Sequence, residues 1–194
     1  RELMKMIKGN KIPQVFDWYV QANIFNLLFD PQNKSHLSYN RKRLEDALEK
    51  FDEISSNDFI ANFTSSHPNN CKYISILFDE NNFFNEKMVV VLSSIYFQNH
   101  DDILIPKTLG LSPEILISVK KVISHTNEFI RLKGKTLDTT CVGIWLRSIG
   151  PEWLLVRTLL QNDELSFFDN IFVPFIFENK FENIFEITPL LNPL

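Results

Sequence analysis

The chain has 194 residues, of which 44% are hydrophobic, and its net charge is −4. This length and apolar content suffice for a buried core in one or two domains, and no apolar run approaches the roughly 20 residues that a membrane-spanning helix needs. Cys71 and Cys141 are too few for a disulfide framework and lack the spacing of a zinc site, so we expect two buried thiols.

Apolar residues recur at spacings of three and four along most of the chain, which predicts an all-α protein built as an irregular helical array. The first long helix is predicted from Pro13 to Phe29, where Asp30 and Pro31 end it. Its apolar side chains point in all directions, which indicates burial by several neighbours. The elements predicted next are an amphipathic helix at 41–54, a loop at 65–70, a short segment at 73–78 and a helix at 86–97.

The longest helix is predicted to begin at Ser112, Pro113 and Glu114, to run to about Leu132 and to end at Gly134. Its core stripe would consist of Ile115, Leu116, Val119, Val122, Ile123, Thr126 and Ile130. The opposite face would then carry Lys120, Ser124, Asn127 and Arg131. Two cations with two small polar groups between them, over about 16 Å of helix, could follow a phosphate backbone. An ordinary solvated face has the same pattern.

The segment DTTCVGIWLRSIGPEWLLVR, from Asp138 to Arg157, predicts two short helices joined by a corner. Asp138 can cap the first helix, and Gly150 followed by Pro151 ends it and begins the second. Trp153 opens this second helix, which is apolar and expected to be buried. The inner side of the first helix would carry Val142, Trp145, Leu146 and Ile149, while Arg147 points away.

The tail after Asp163 is rich in phenylalanine. Its residues fit a helix that is interrupted at Pro174, because proline lacks the backbone N–H that a helix interior uses. A partial strand fits the same residues.

The LRSIGPEW segment resembles the "LR..G..W" pattern in the helical C-terminal half of class II tRNA nucleotidyltransferases, the CCA-adding enzymes. Four other segments resemble this family in the same order. Glu2 to Pro13 is similar to its neck helix, Val15 to Phe29 to a Leu-rich helix ending in IF, Val89 to Ile95 to a core helix of the body, and Leu109 to Ile117 to the loop before the corner. The resemblance extends to about Leu160 and is strongest for eukaryotic members.

This resemblance implies a fold that corresponds to the neck and body of a class II CCA-adding enzyme. The implied divisions are 1–55 as the end of the neck and the first body helices, 56–165 as the helical body with an RNA-facing basic region, and 166–194 as the start of the tail. In the family, an N-terminal head carries a Gly-Gly-x-x-Arg turn, an Asp-x-Asp metal pair and an Arg-Arg-Asp strand, and the neck carries a Glu-Asp-x-x-Arg motif. None of these strings occurs in this sequence. We therefore expect a fragment that lacks the catalytic head and has no catalytic or metal-binding residue of its own.

The partners that the resemblance implies are the acceptor and TΨC arms of tRNA, with ATP, CTP and Mg²⁺ bound by the head of the parent enzyme. Charge points to the same region, because residues 104–160 contain eight basic and four acidic side chains. The residues expected to bind RNA are Lys107, Lys120, Lys121, Ser124, Asn127, Arg131, Lys133, Lys135 and Arg147. We expect no membrane partner and a cytoplasmic location, and the sequence leaves a mitochondrial or nuclear location open.

Two other functions fit the sequence. One is a helical protein-interaction domain without an RNA role. The other is an HD-type metallophosphohydrolase, since His100 and Asp101 form an HD dipeptide, with His67 upstream and Asp138 downstream. Such sites need imidazole and carboxylate ligands that converge on a metal. Surface positions for all four histidines are the alternative to a metal site.

Overall fold

The computed structural model describes residues 2–32, 37–66, 77–97 and 104–181, and within these ranges it contains helices and no strands. This confirms the all-α prediction for the described residues. The helices are α1 (Glu2–Ile7), α2 (Ile12–Gln21), α3 (Phe25–Phe29), α4 (Arg41–Ile54), α5 (Asn57–Ser66), α6 (Glu80–Tyr96), α7 (Pro113–Leu132), α8 (Thr139–Ile149), α9 (Trp153–Leu159), α10 (Asn162–Phe167) and α11 (Val173–Glu178). Short 3-10 turns lie at Lys107–Leu109 and Gly150–Glu152, and a π-helical turn lies at Phe168–Phe172.

Polar side chains cap the helices at the predicted starts. The Ser112 hydroxyl accepts a hydrogen bond from the Ile115 N–H at 3.4 Å, and the Asp138 carboxylate accepts one from the Thr140 N–H at 2.9 Å. These bonds satisfy N–H groups that have no partner within the first turn. At its other end α7 stops before Gly134, which has a φ of 84°. The predicted boundaries of α7 and α8 are confirmed.

The core is formed where α4, α6, α7 and α9 pack against one another. Helix α9 lies deepest, and all seven of its residues are buried. Helix α6 begins at Glu80 rather than Glu86, and its second half is buried on every side through Met88, Val89, Val90, Val91 and Leu92. A helix that is apolar all round is expected in such a central position. No helix in the described ranges is both long enough and apolar enough to span a membrane.

The prediction of one buried helix from Pro13 to Phe29 is wrong. The chain turns after Gln21, where Asn23 has a φ of 57°, and α3 starts in a new direction at Phe25. Asparagine adopts this left-handed conformation more readily than most residues. Because of the turn only part of the apolar surface is buried, and the exposed fractions of Trp18 and Leu27 are 57% and 67%.

The described part of the Phe-rich tail is helical, so the strand alternative is wrong for it. Pro174 lies in the first turn of α11, directly after the π-helical turn at Phe168–Phe172. Phe168 and Phe172 are fully buried, and their ring centres lie 5.3 and 5.0 Å from that of Phe129 on α7. The tail therefore completes the core beside α7 and α8.

An ion-pair network that the sequence pattern did not predict joins α4, α9 and the π-helical turn. Arg157 donates to Glu53 from Nη1 and Nη2 at 2.9 and 3.2 Å, and to Asp169 from Nε and Nη2, both at 2.9 Å. The Arg157 side chain is only 10% exposed, whereas those of Glu53 and Asp169 are 55% and 36% exposed. Both bonded forks fix the guanidinium in one orientation.

Candidate nucleic-acid interface

The exposed stripe of α7 differs from the predicted one at one position. Lys120, Ser124 and Arg131 are exposed as expected, but Asn127 is buried, with 7% of its surface accessible. Glu128 takes the exposed position in its place. Asn127 and Glu128 follow Ser124 by three and four residues, so they lie on opposite sides of a line drawn through Ser124 along the helix. Neighbouring elements cover the side that carries Asn127. The stripe therefore contains a carboxylate between its cations.

Helices α7 and α8 are joined by a buried histidine. His125 is 7% exposed, so the expectation of a surface position is wrong for this residue. Its Nδ1 lies 2.7 Å from the carbonyl oxygen of Lys121, and its Nε2 lies 2.7 Å from the hydroxyl of Ser148 on α8. The indole N–H of Trp145 also donates to the His125 carbonyl at 3.1 Å. The bond to the exposed Ser148 therefore joins the two helices near their solvent-exposed sides.

The outer faces of α7 and α8 together form what we call the basic face, defined by Lys120, Lys121, Ser124, Glu128, Arg131, Arg147 and Ser148. Arg147 is exposed, as predicted, and Lys121 is half-buried. Residues 117–149 contain six basic and two acidic side chains. One of the two acids, Asp138, is occupied in capping α8. A negatively charged ligand is therefore favoured along this surface.

The other predicted RNA-binding lysines have different positions. Lys133 forms an ion pair with Asp163 at 3.3 Å, so its charge is partly compensated. Lys135 is exposed in the connection between α7 and α8. Lys107 is exposed on a 3-10 turn that packs against α3. Lys133 and Lys135 both lie in the connection between α7 and α8, whereas Lys107 does not.

His125 and Ser148 were not among the residues that the sequence predicted for this surface. Their contact depends on the register of two antiparallel helices, which a single helical pattern does not determine. The short connection between Leu132 and Thr139 was the available signal, because short loops make neighbouring helices antiparallel. It does not specify which residue of α7 faces Ser148.

The described residues offer no support for nucleophilic or metal chemistry. Cys141 is exposed, so the buried thiol expected there is wrong, and its thiol donates to Asp138 at 3.6 Å. The hydrogen bond and charge of Asp138 raise the pKa of this thiol, which disfavours the reactive thiolate. No group of three or more potential metal ligands occurs in the described ranges. Cys71, His67, His100 and Asp101 lie outside them.

Glu86 on α6 is a buried carboxyl group beside the corner between α8 and α9. Its Oε2 is buried without a hydrogen-bond partner in the structure. Burial, and to a lesser extent the carboxylate of Glu152, raises the pKa of Glu86 to about 8, from 4.5 in an unfolded chain. Between these two values the folded state holds a proton that the unfolded state has lost. The free energy of unfolding therefore falls as the pH rises through this window.

We expect Glu86→Gln to remove this loss of stability. The variant should match the parent near pH 4.5 and exceed its free energy of unfolding by about 1 to 3 kcal/mol at pH 8. Urea unfolding at pH 4.5, 6 and 8 measures the difference, with Glu49→Gln on the exposed side of α4 as the control. A constant difference between the Glu86 variant and the parent at all three pH values would contradict the assignment.

No protein-family model matches the chain, and comparisons with curated proteins and with solved structures find no significant match.

Proposed function

We propose that this chain is the tRNA-binding helical part of a CCA-adding tRNA nucleotidyltransferase, corresponding to its neck and body. In such an enzyme the head would add nucleotides from CTP and ATP with Mg²⁺, while these helices hold the acceptor and TΨC arms. The chain would supply position and orientation rather than chemistry. Positioning matters because a small misplacement of the reacting end costs much of the rate.

The observation that carries the proposal is the basic face. It combines cations from two helices that a buried hydrogen-bonded histidine holds side by side, and it includes Arg147 of the LRSIGPEW segment. The segment itself forms two helices with a glycine corner, where Gly150 has a φ of 71°. Double-stranded RNA is bound mainly through its shape, phosphates and 2′-hydroxyls. A rigid surface with scattered Lys and Arg side chains meets this requirement.

Reversing the charge of Lys120 and Arg131 to glutamate should weaken binding of a tRNA acceptor minihelix. Both side chains are exposed, and phosphate contacts carry no sequence information, so minihelices of different sequence should lose affinity alike. Each lost phosphate contact should reduce the slope of log K against log salt by about 0.7 to 0.9. Titration of a labelled minihelix at four salt concentrations measures both quantities.

Lys11→Glu with Lys42→Glu is the matched control, because both lysines are exposed, both lie outside the basic face, and the change in net charge is the same. Circular dichroism verifies folding of each double variant. Equal affinity and slope for the parent and the Lys120/Arg131 variant would remove the basic face as the RNA-binding surface. An equal loss in the control variant would show that net charge alone accounts for binding.

The chain alone should add no nucleotide to a tRNA that lacks its CCA end. The sequence contains none of the head motifs that the family uses for nucleotidyl transfer. The assay supplies ATP, CTP and Mg²⁺ with the purified chain and follows labelled nucleotide on denaturing gels. Incorporation above that of a heat-inactivated sample would contradict this part of the proposal.

A helical protein-interaction domain is the second candidate, and three exposed apolar side chains outside the basic face favour it. Trp18, Leu27 and Leu104 are 57%, 67% and 54% exposed, although large apolar side chains are more often buried. This candidate predicts no minihelix binding at physiological salt. The titration described above therefore distinguishes it from the RNA-binding function.

A further inference from the structure

The hydrogen bonds of His125 determine the direction of the Ser148 hydroxyl. The Lys121 carbonyl oxygen, 2.7 Å from Nδ1, can only accept, so Nδ1 carries a proton. In the imidazole tautomer with this single proton, Nε2 has a free lone pair, and the Ser148 hydroxyl 2.7 Å away donates to it. The Ser148 proton is therefore directed into the protein.

With its proton engaged, the Ser148 oxygen presents only acceptor lone pairs to solvent. Ser148 is exposed, Arg147 precedes it on α8, and the Lys121 backbone anchors the same imidazole. Cations on the basic face favour phosphates, but the Ser148 oxygen does not, because a phosphate oxygen is also an acceptor. A ligand that fits both features belongs to an anionic backbone and donates a hydrogen bond.

The 2′-hydroxyl is the donor that the sugar–phosphate backbone of RNA has and that of DNA lacks. We propose that Ser148 accepts a hydrogen bond from a ribose 2′-hydroxyl, so that the basic face selects RNA over backbones without this group. The inference rests on the proposed function and assigns a specificity to the same surface. His125 acts by holding the hydroxyl in its acceptor orientation.

The test compares two minihelices of one sequence, one with ribose and one with 2′-fluoro sugars, which keep the A-form but lack the donor. The parent chain should bind the ribose form more tightly. Ser148→Ala should reduce the ratio of the two affinities by about 2- to 10-fold, the size expected for one hydrogen bond. The loss should be larger for the ribose form, because the 2′-fluoro form has no proton to donate to the Ser148 oxygen.

Two further variants make the result specific to the hydroxyl. Ser148→Thr keeps the hydroxyl and should keep the ratio of the parent. Ser65→Ala on α5 removes another exposed helical hydroxyl, which donates to the Asn62 carbonyl, and should also leave the ratio unchanged. Thermal melts confirm that all variants are folded.

The outcomes separate this inference from the proposed function. If the Lys120/Arg131 reversal weakens binding and Ser148→Ala leaves the ratio of affinities unchanged, the specificity role of Ser148 is wrong and the RNA-binding surface stands. If neither minihelix binds the parent chain, the proposed function and this inference are both wrong. If the ratio of ribose to 2′-fluoro affinities falls in Ser148→Ala and is retained in Ser148→Thr, the result supports both the proposed function and the role of Ser148.

Discussion

Trp153→Ala should lower the free energy of unfolding by about 3 to 5 kcal/mol, the range for removing a large buried aromatic side chain. Trp153 is 5% exposed at the start of α9. Its ring centre lies 5.9 Å from that of Phe168 and 6.4 Å from that of Phe63. The substitution would leave a cavity between elements that are distant in sequence. The surrounding helices are rigid and closely packed, so they would fill this cavity only in part.

Urea unfolding followed by far-UV circular dichroism measures this loss. Trp18→Ala is the matched control, because Trp18 is 57% exposed and most of its surface is hydrated in both states. The control should change the free energy of unfolding by roughly 1 kcal/mol or less, as surface substitutions usually do. Similar losses for the two variants would contradict the burial of Trp153 at the corner.

The local signals in the sequence predicted α7, α8 and the corner with their boundaries. Ser112 and Asp138 cap their helices through contacts within three residues along the chain. The local sequence is enough to predict such contacts. The apolar spacing also identified the inner side of α8, where Val142, Leu146 and Ile149 are fully buried. Each of these features depends on one helix and its ends, so a single sequence contains the necessary information.

Features that depend on two elements were not predicted. The pattern could not decide whether Asn127 or Glu128 continues the exposed stripe, because residues three and four positions along a helix flank the same line. The neighbours of α7 decide it. The contact between His125 and Ser148 likewise depends on how α7 and α8 pack. Consequently the cations of the basic face were predicted better than the polar groups between them.

Arg157 is the clearest example of a contact that the sequence pattern did not predict, since its partner Glu53 lies 104 residues earlier in the chain. In the sequence it is one cation in the apolar run of α9, and the helical spacing does not identify its partners. The structure instead buries it between two carboxylates. A buried guanidinium requires such partners, because an uncompensated charge in the core is costly.

Arg157→Ala should lower the free energy of unfolding by about 2 to 4 kcal/mol. The value lies below that for a fully buried pair because Glu53 and Asp169, at 55% and 36% exposed, can regain water. Lys5→Ala is the control, since Lys5 pairs with Glu2 at the surface, where the two side chains are 64% and 79% exposed. Surface ion pairs contribute little, so the unfolding midpoint should hardly move.

A double-mutant cycle tests whether the loss comes from the network or from the lost packing of the arginine stem. Asp169→Asn keeps the shape of the side chain and removes its charge. If the charged bonds matter, Arg157→Ala and Asp169→Asn should couple by about 1 to 3 kcal/mol. Additive effects would mean that the pair with Asp169 does not account for the loss, which would then come from the bonds to Glu53 and the apolar stem of Arg157. Coupling at the expected level would instead show that the ion pair fastens the π-helical turn at Phe168–Phe172 to α9, which holds Phe168 and Phe172 against α7.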